Sequence, residues 1–439
     1  MNRAMPWIAG ILIQCSLTGM LFLGDLRQHA FLLLFAVAVL GYFLGVRYCG
    51  WIGWKGVVLA ALLFRATLFI TSPTLSDDIY RYVWDGRVQS SGINPYRFQP
   101  NAEQLNHLRD EGVFSRVNHR EVSTIYPPLA QAVFLVCYKI LPSPWTFKVA
   151  FILAELMLSW FLLGLIRLYD QHPGQLLIFL WNPLQILEVA GSGHVDILGI
   201  MFLIVALLYV QIGGYGRAFG ALALSFLCKF FAICLLPVFW RWMCDRQNNE
   251  ETPGSRIRMM LKPATAWPVL VFFIVVGAGY WPYLDAGEGL YRGALIYAEH
   301  WEFNSPVFDL SRGLLGGTFA RILIALVFCT TVVLLTLGRM PPVQAGYYLA
   351  GLFIWLSPTL HPWYVLWILP FLVFYRSAGW MVFSGLIVSA YVVSIRYAVD
   401  GLWIEVPWVK AIPFAGFLTT WFWFEWKARR SGNIPVSRH

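Results

Sequence analysis

The sequence predicts an all-α polytopic membrane protein, a single domain spanning residues 1–439 and built as a bundle of about 13 transmembrane helices. Three observations carry this. Hydrophobic residues make up 59% of the chain, and its mean hydropathy is +0.63. Charged residues amount to 13%, about half the roughly 25% that a soluble surface requires. Aromatic residues reach 17%, with 21 Trp, which suits rings seated at bilayer interfaces. A soluble enzyme, a disordered chain and a disulfide-stapled secreted domain are excluded.

In chain order, the candidate crossings are 5–23, 30–46, 56–71, 128–141, 146–166, 174–190, 195–212, 217–240, 264–283, 319–338, 343–358, 362–375, 378–395 and 408–426. The first has no small-residue cleavage site after it, since Gly24-Asp25-Leu26-Arg27 follows, so it is expected to stay as a helix rather than act as a signal peptide. Polar sequence concentrates in three loops, at 72–127, 241–262 and 284–318. The chain carries 32 Lys+Arg against 23 Asp+Glu, a formal charge of +9. In a membrane protein such an excess marks cytoplasmic loops, and nucleic acid is not needed to explain it. The basic 241–262 loop and the Lys427-Ala428-Arg429-Arg430 tail are therefore expected inside, with both termini cytoplasmic and 72–127 and 284–318 external.

The middle admits two threadings. Either 128–141 crosses and 191–196 lies inside, or 128–141 dips and returns and 191–196 lies outside. The second is preferred. It requires 217–240 to split into two short helices at Lys229, a lysine otherwise costly in hydrocarbon. The seven cysteines form no CxxC pair, and no Walker A, HExxH or GxSxG sequence occurs.

The residues that could carry chemistry lie around the loops. In the first, Ser76 precedes Asp77 and Asp78 at the start of a helical pattern, favourable to its dipole. Arg81 is four residues from both Asp77 and Asp85, so one face holds all three. A carboxylate at the membrane boundary could take a proton from a hydroxyl, and an acidic cap with a structural ion pair is the plainer alternative. Gly92 should end that helix, and the loop closes at Tyr126-Pro127-Pro128-Leu129. Glu188, His194 and Asp196 flank Gly191-Ser192-Gly193 in apolar surroundings, either as functional groups or as a polar helix-packing pocket. Lys229 could grip a phosphate or snorkel to an interface. The loop holding Arg292, Glu299, His300, Trp301 and Asn304 mixes aromatic and amide groups, as sugar recognition does and as an interfacial belt also does. His361, in Ser357-Pro358-Thr359-Leu360-His361-Pro362-Trp363-Tyr364, and Arg396 complete the external set.

The order Asp77-Asp78, then Gly92-Ile93-Asn94-Pro95-Tyr96, then Tyr126-Pro127-Pro128-Leu129 resembles the GT-C superfamily of membrane glycosyltransferases. It is particularly similar to the bacterial polyprenyl-phosphate-mannose-dependent mannosyltransferases and to the catalytic subunit of GPI mannosyltransferase I. Asn182-Pro183, Gly193-His194-Val195-Asp196 and His361-Pro362-Trp363-Tyr364 also look like bacterial members. The resemblance implies a GT-C-like bundle in a bacterial inner membrane, whose external first loop carries short interfacial helices. It implies a polyprenyl-phosphate-linked hexose donor, mannose foremost, and a lipid or glycan acceptor met on the external face. Transfer would proceed with inversion, with Asp77 or Asp78 as the base. Arg81 and Asp85 would orient that helix, and Tyr126, Glu188, His194, Asp196, His300, Asn304 and Arg396 would line substrate. Lys229, Arg292 and His361 are the positional candidates for the lipid phosphate. The contiguous Asp77-Asp78, in place of Asp-x-Asp, indicates no metal ligand set and leaves a divalent metal an open matter. A glycan polymerase or ligase, and a lipid-sugar flippase or transporter, are the alternatives of similar composition. A flippase would not depend strictly on one carboxylate, and a polymerase would normally carry a larger, Arg-rich external loop.

Overall fold

A computed structural model describes residues 2–247 and 263–430. Every regular element among them is helical, and an isolated bridge pairs Phe303 with Thr359. The chain begins with three helices, α1 (Met5–Leu23), α2 (His29–Arg47) and α3 (Trp54–Phe69). The first loop then carries α4 (Asp78–Ser90), and α5 (Pro128–Ile140) and α6 (Pro144–Leu168) follow.

Six stretches are helical, long and apolar enough to cross a membrane: Met5–Leu23, His29–Arg47, Pro144–Leu168, Ala264–Ala286, Gly317–Leu337 and Ala378–Asp400. The expected count of about 13 spans is not confirmed by these six, because several other apolar segments are short or broken into pieces. Residues 174–190 become Leu176–Leu180, Pro183–Ile186 and a π-helical turn, Leu187–Ser192. Residues 362–375 become two 3-10 turns and a four-residue helix. The physical cause is local. Pro183 and Pro370 lack the N–H that would continue a helix, and the Asn182 side chain accepts from the N–H groups of Leu184 and Gln185 to start a new one. Such irregular backbone is tolerated at depth only when protein surrounds it. Residues 176–200 are buried without exception.

The 217–240 segment also divides. A helix, Tyr215–Phe226, ends before Lys229, whose extended backbone (φ −155°, ψ 134°) leads into a 3-10 turn and then the Leu236–Gln247 helix. Helix α5 has 13 residues, about 20 Å at 1.5 Å per residue, short of the roughly 30 Å hydrocarbon core. Its first N–H groups, on Leu129 and Ala130, donate to Leu227 O at 2.9 and 3.3 Å. The entry of α5 is thereby tied to the backbone beside Lys229. The basic residues at 248–262 lie outside the described residues.

A buried ion pair fastens the interior. Arg65 of α3 meets both carboxylate oxygens of Glu155 of α6 and donates to Leu180 O at 2.6 Å, while Gln185 Nε2 reaches Glu155 at 3.1 Å. The first loop has a small apolar core of its own, formed by Trp84, Val88, Leu105 and Val117. An Arg87–Asp110 bridge of 2.6 Å closes it.

Candidate active site

Helix α4 places the acidic pair. The N–H of Asp78 donates to Ser76 Oγ at 3.3 Å, so Asp77 holds the cap position and Asp78 the first helical one. Arg81 Nε bonds Asp85 Oδ1 at 2.9 Å and Arg81 Nη2 bonds Val122 O at 3.1 Å. The face expected to join three charges thus pairs two, Arg81 with Asp85. Gln131 of α5 donates to the other oxygen of Asp85 at 2.9 Å and to Thr124 at 2.7 Å, so Asp85 braces the helix from below. Beyond Ser90, Gly92 turns with φ +76° and the Asn94 side chain accepts from Tyr96 N–H. Tyr96 OH then donates to Tyr126 O at 2.7 Å, which fastens the two ends of the loop together.

Asp77 and Asp78 open onto a cavity of about 580 Å³. Arg81, Asn118, Tyr126, Lys229, Tyr297, His300, His361, Trp363, Tyr364 and Tyr391 share its wall. Asn118 Nδ2 holds Asp78 Oδ1 at 3.0 Å. Burial in the recess and the neighbouring Asp78 push the pKa of Asp77 up, against the opposing pull of Arg27 and Arg116. Lys229 Nζ reaches Asp196 at 3.2 Å and stands 4.9 Å over the Tyr364 ring. Trp367 Nε1 completes the hold on Asp196 at 2.9 Å. Tyr297 and Tyr364 share a hydroxyl–hydroxyl hydrogen bond of 2.6 Å.

Behind this wall sit Glu188, His194 and Asp196, all fully or almost fully buried. His194 Nδ1 lies 3.9 Å from Asp78 Oδ2, and its Nε2 lies 3.2 Å from Glu188 Oε2. These are ion-pair distances without hydrogen-bond alignment, and among the described residues neither ring nitrogen has a hydrogen-bond partner. Tyr391 OH donates to Glu188 Oε1 at 2.7 Å. A carboxylate–imidazole–carboxylate–phenol series therefore runs inward from Asp78.

Seven of the sequence-predicted residues line the cavity: Asp77, Asp78, Arg81, Tyr126, Lys229, His300 and His361. Glu188, His194 and Asp196 support it from one layer back. Arg292, Asn304 and Arg396, also expected to contact substrate, are not among its lining residues. Arg292 is on the exposed side of the Gly289–His300 helix, and Arg396 turns outward toward Asp400 at 4.0 Å. Asn304 is buried in the loop hinge, its N–H on Glu405 and its amide on Leu360 O. Desolvation in the cavity wall pushes the pKa of His361 down, against the opposing pull of Asp78, which favours the neutral imidazole. Asn118, Tyr297 and Tyr391 were not singled out by sequence reasoning. Among the described residues, no group of three or more His, Cys, Asp or Glu is arranged to hold a metal ion.

Residues 13–245 match the profile of the MptA_B family, described as alpha-(1->6)-mannopyranosyltransferase, N-terminal domain. The chain belongs to this family. It is thus a membrane glycosyltransferase of a GT-C type mannosyltransferase family. The matched region contains α4, the acidic pair, the Glu188–His194–Asp196 cluster and Lys229, and it ends before Tyr297, His300 and His361. No curated protein matches the chain.

Proposed function

We propose that the protein transfers a mannosyl unit from a polyprenyl-phosphate donor to a hydroxyl of a lipid or glycan acceptor, with inversion, on the external face of a bacterial inner membrane. The α-(1→6) linkage in the family's description makes a sugar 6-hydroxyl the acceptor group of choice. An α product formed with inversion requires a β-linked donor.

The observation that carries this reading is that Asp78 and Lys229 share one cavity. A displacement at the anomeric carbon needs a base on the acceptor side and a cation on the leaving-group side. Asp78 takes the acceptor proton while the acceptor oxygen bonds to C1. The bond from C1 to the phosphate oxygen breaks, and its electron pair leaves with the polyprenyl phosphate. Lys229, held forward by Asp196, offsets the charge that develops there. Asp78 is the better base of the two because Asn118 orients one of its oxygens. Burial and the charge of Asp78 raise the proton affinity of Asp77 instead. The tyrosines and Trp363 supply ring faces and hydroxyls for a hexose. A polyprenyl leaving group that stays in the bilayer accounts for a catalytic loop folded onto an apolar bundle.

The test is sugar transfer from a polyprenyl-phosphate mannose in membranes carrying Asp78→Asn or Asp77→Asn. Asp78→Asn should lower the rate by about 100-fold or more, the usual worth of a general base, and Asp77→Asn by much less. Wild-type transfer by inserted Asp78→Asn protein would reject Asp78 as the base.

A further inference from the structure

A second cavity, of about 330 Å³, lies on the other side of the segment that carries the acidic pair. Ser72 and Pro73 line it, whereas Thr74 to Asp78 line the first cavity. Its floor is Lys148, which is fully buried, and Arg116 and Trp145 stand exposed at its rim. Lys148 Nζ donates to Thr71 O at 2.6 Å and to Phe69 O at 3.2 Å. Two hydrogen bonds thus hold Lys148 at the end of α3, and its Nζ stands 4.9 Å over the Trp145 ring. The Arg116 guanidinium lies 5.0 Å over the Tyr80 ring and bonds the Tyr80 hydroxyl. None of the nine lining residues is a carboxylate. A guanidinium and an amine therefore face one recess whose lining has no carboxylate, unlike Lys229, which has Asp196.

The position narrows the ligand. Trp145 begins the 25-residue span α6, where aromatic rings sit at the headgroup level. From Trp145 an exposed apolar stripe runs along α6 through Val149, Leu153, Met157 and Trp160, which are 44%, 58%, 54% and 65% exposed. Successive members are three or four residues apart, so they form one continuous helix face. An anion seated on Lys148 and Arg116 would have hydrocarbon directly beneath it. We infer that this recess binds the phosphate headgroup of a membrane lipid whose chains lie along α6, at a site separate from the one that holds the transfer reaction.

The experiment is native mass spectrometry of the purified full chain in detergent, titrated with dioleoyl phosphatidic acid, with dioleoyl phosphatidylcholine and with sodium phosphate. The expected result is a saturable phosphatidic acid adduct that phosphatidylcholine does not form and that millimolar inorganic phosphate does not displace. Arg116→Gln, at the exposed rim, should weaken that adduct at least tenfold, as should Lys148→Met wherever its thermal unfolding matches wild type. Undiminished binding by folded Arg116→Gln protein would overturn the proposal. Displacement by inorganic phosphate would also overturn it, by making the ligand a free anion. Neither readout involves sugar transfer, so the outcome is separate from that of the proposed reaction.

Discussion

The imidazole of His194 lies flat on the indole of Trp363, with ring centroids 3.8 Å apart and planes 15° from parallel. The stack continues through His361, 4.3 Å beyond Trp363, to Phe303, 4.9 Å further on. This ladder joins the half of the chain that matches the family to the half that does not. It also sets the ring of His194 against Asp78 on one side and Glu188 on the other. Trp363 is its central rung and faces the cavity.

Replacing that rung should be felt in turnover. Stacked pairs contribute about 0.5–1.5 kcal/mol each beyond burial, and Trp363→Leu removes two of them. The expected outcome is a fall in transfer rate of roughly tenfold, with Trp363→Phe in between. Initial rates in membranes with matched protein levels check it, and an unchanged Trp363→Leu rate would mean that the ladder does not position His194.

The buried ion pair yields a stability prediction. Arg65 and Glu155 are 1% and 0% exposed and bond in a bidentate manner. Removing one partner strands a charge among apolar side chains, which costs about 3–5 kcal/mol, whereas replacing both with apolar groups is often near neutral. Arg65→Met should therefore lower the thermal midpoint in detergent strongly, and Arg65→Met with Glu155→Met should recover much of the loss. A double variant no better than the single one would show that the Leu180 carbonyl and Gln185, left without partners, dominate instead.

How far these features could be read in advance follows from what makes each unusual. Lys229 and the Asp77-Asp78 pair stand out because charge beside apolar helices is rare. The break at Lys229 follows from the cost of leaving it within an unbroken span. The span count is harder to read, because Leu176–Ser192 is as apolar as a lipid-facing helix yet lies wholly inside the protein. Apolarity does not distinguish the two surroundings. Tyr391 meets Glu188 across 203 positions, and no local pattern marks such a pairing. Arg292 and Arg396 carried the right charge in the right loops, but their helices turn them outward.

The raised pKa of Asp77 makes stability depend on pH in a defined direction. A carboxyl with a higher pKa in the folded state binds more protons folded than unfolded, so stability falls as pH rises from the ordinary Asp range through the raised value. Asp77→Asn removes this loss. The midpoint difference between Asp77→Asn and wild type should be near zero at about pH 4 and positive at about pH 7. Thermal unfolding followed at both pH values checks the sign, and a variant less stable at the higher pH would contradict it.

The 284–318 loop is held on the 72–127 loop by a contact that only glycine permits. A Cβ on Gly293 would stand 2.7 Å from Ser123 O and 2.8 Å from Thr124 O, both backbone atoms that cannot swing aside. That helix, Gly289–His300, brings Tyr297 and His300 into the cavity wall, and Ser123 and Thr124 lie just before Tyr126. Gly293→Ala must push the helix off the loop and widen the gap between Tyr297 and the acidic pair. Transfer should fall by roughly tenfold or more, as a displacement of about 1 Å from productive geometry does. Gly313 is the matched control. It also sits within a helix, Pro306–Leu315, but nothing lies within 4 Å of its added Cβ. Gly313→Ala should leave transfer unchanged and stabilise by about 0.5–1 kcal/mol through helix propensity alone. Equal activity in the two variants would show that the close seating of the Gly289–His300 helix does not shape the site.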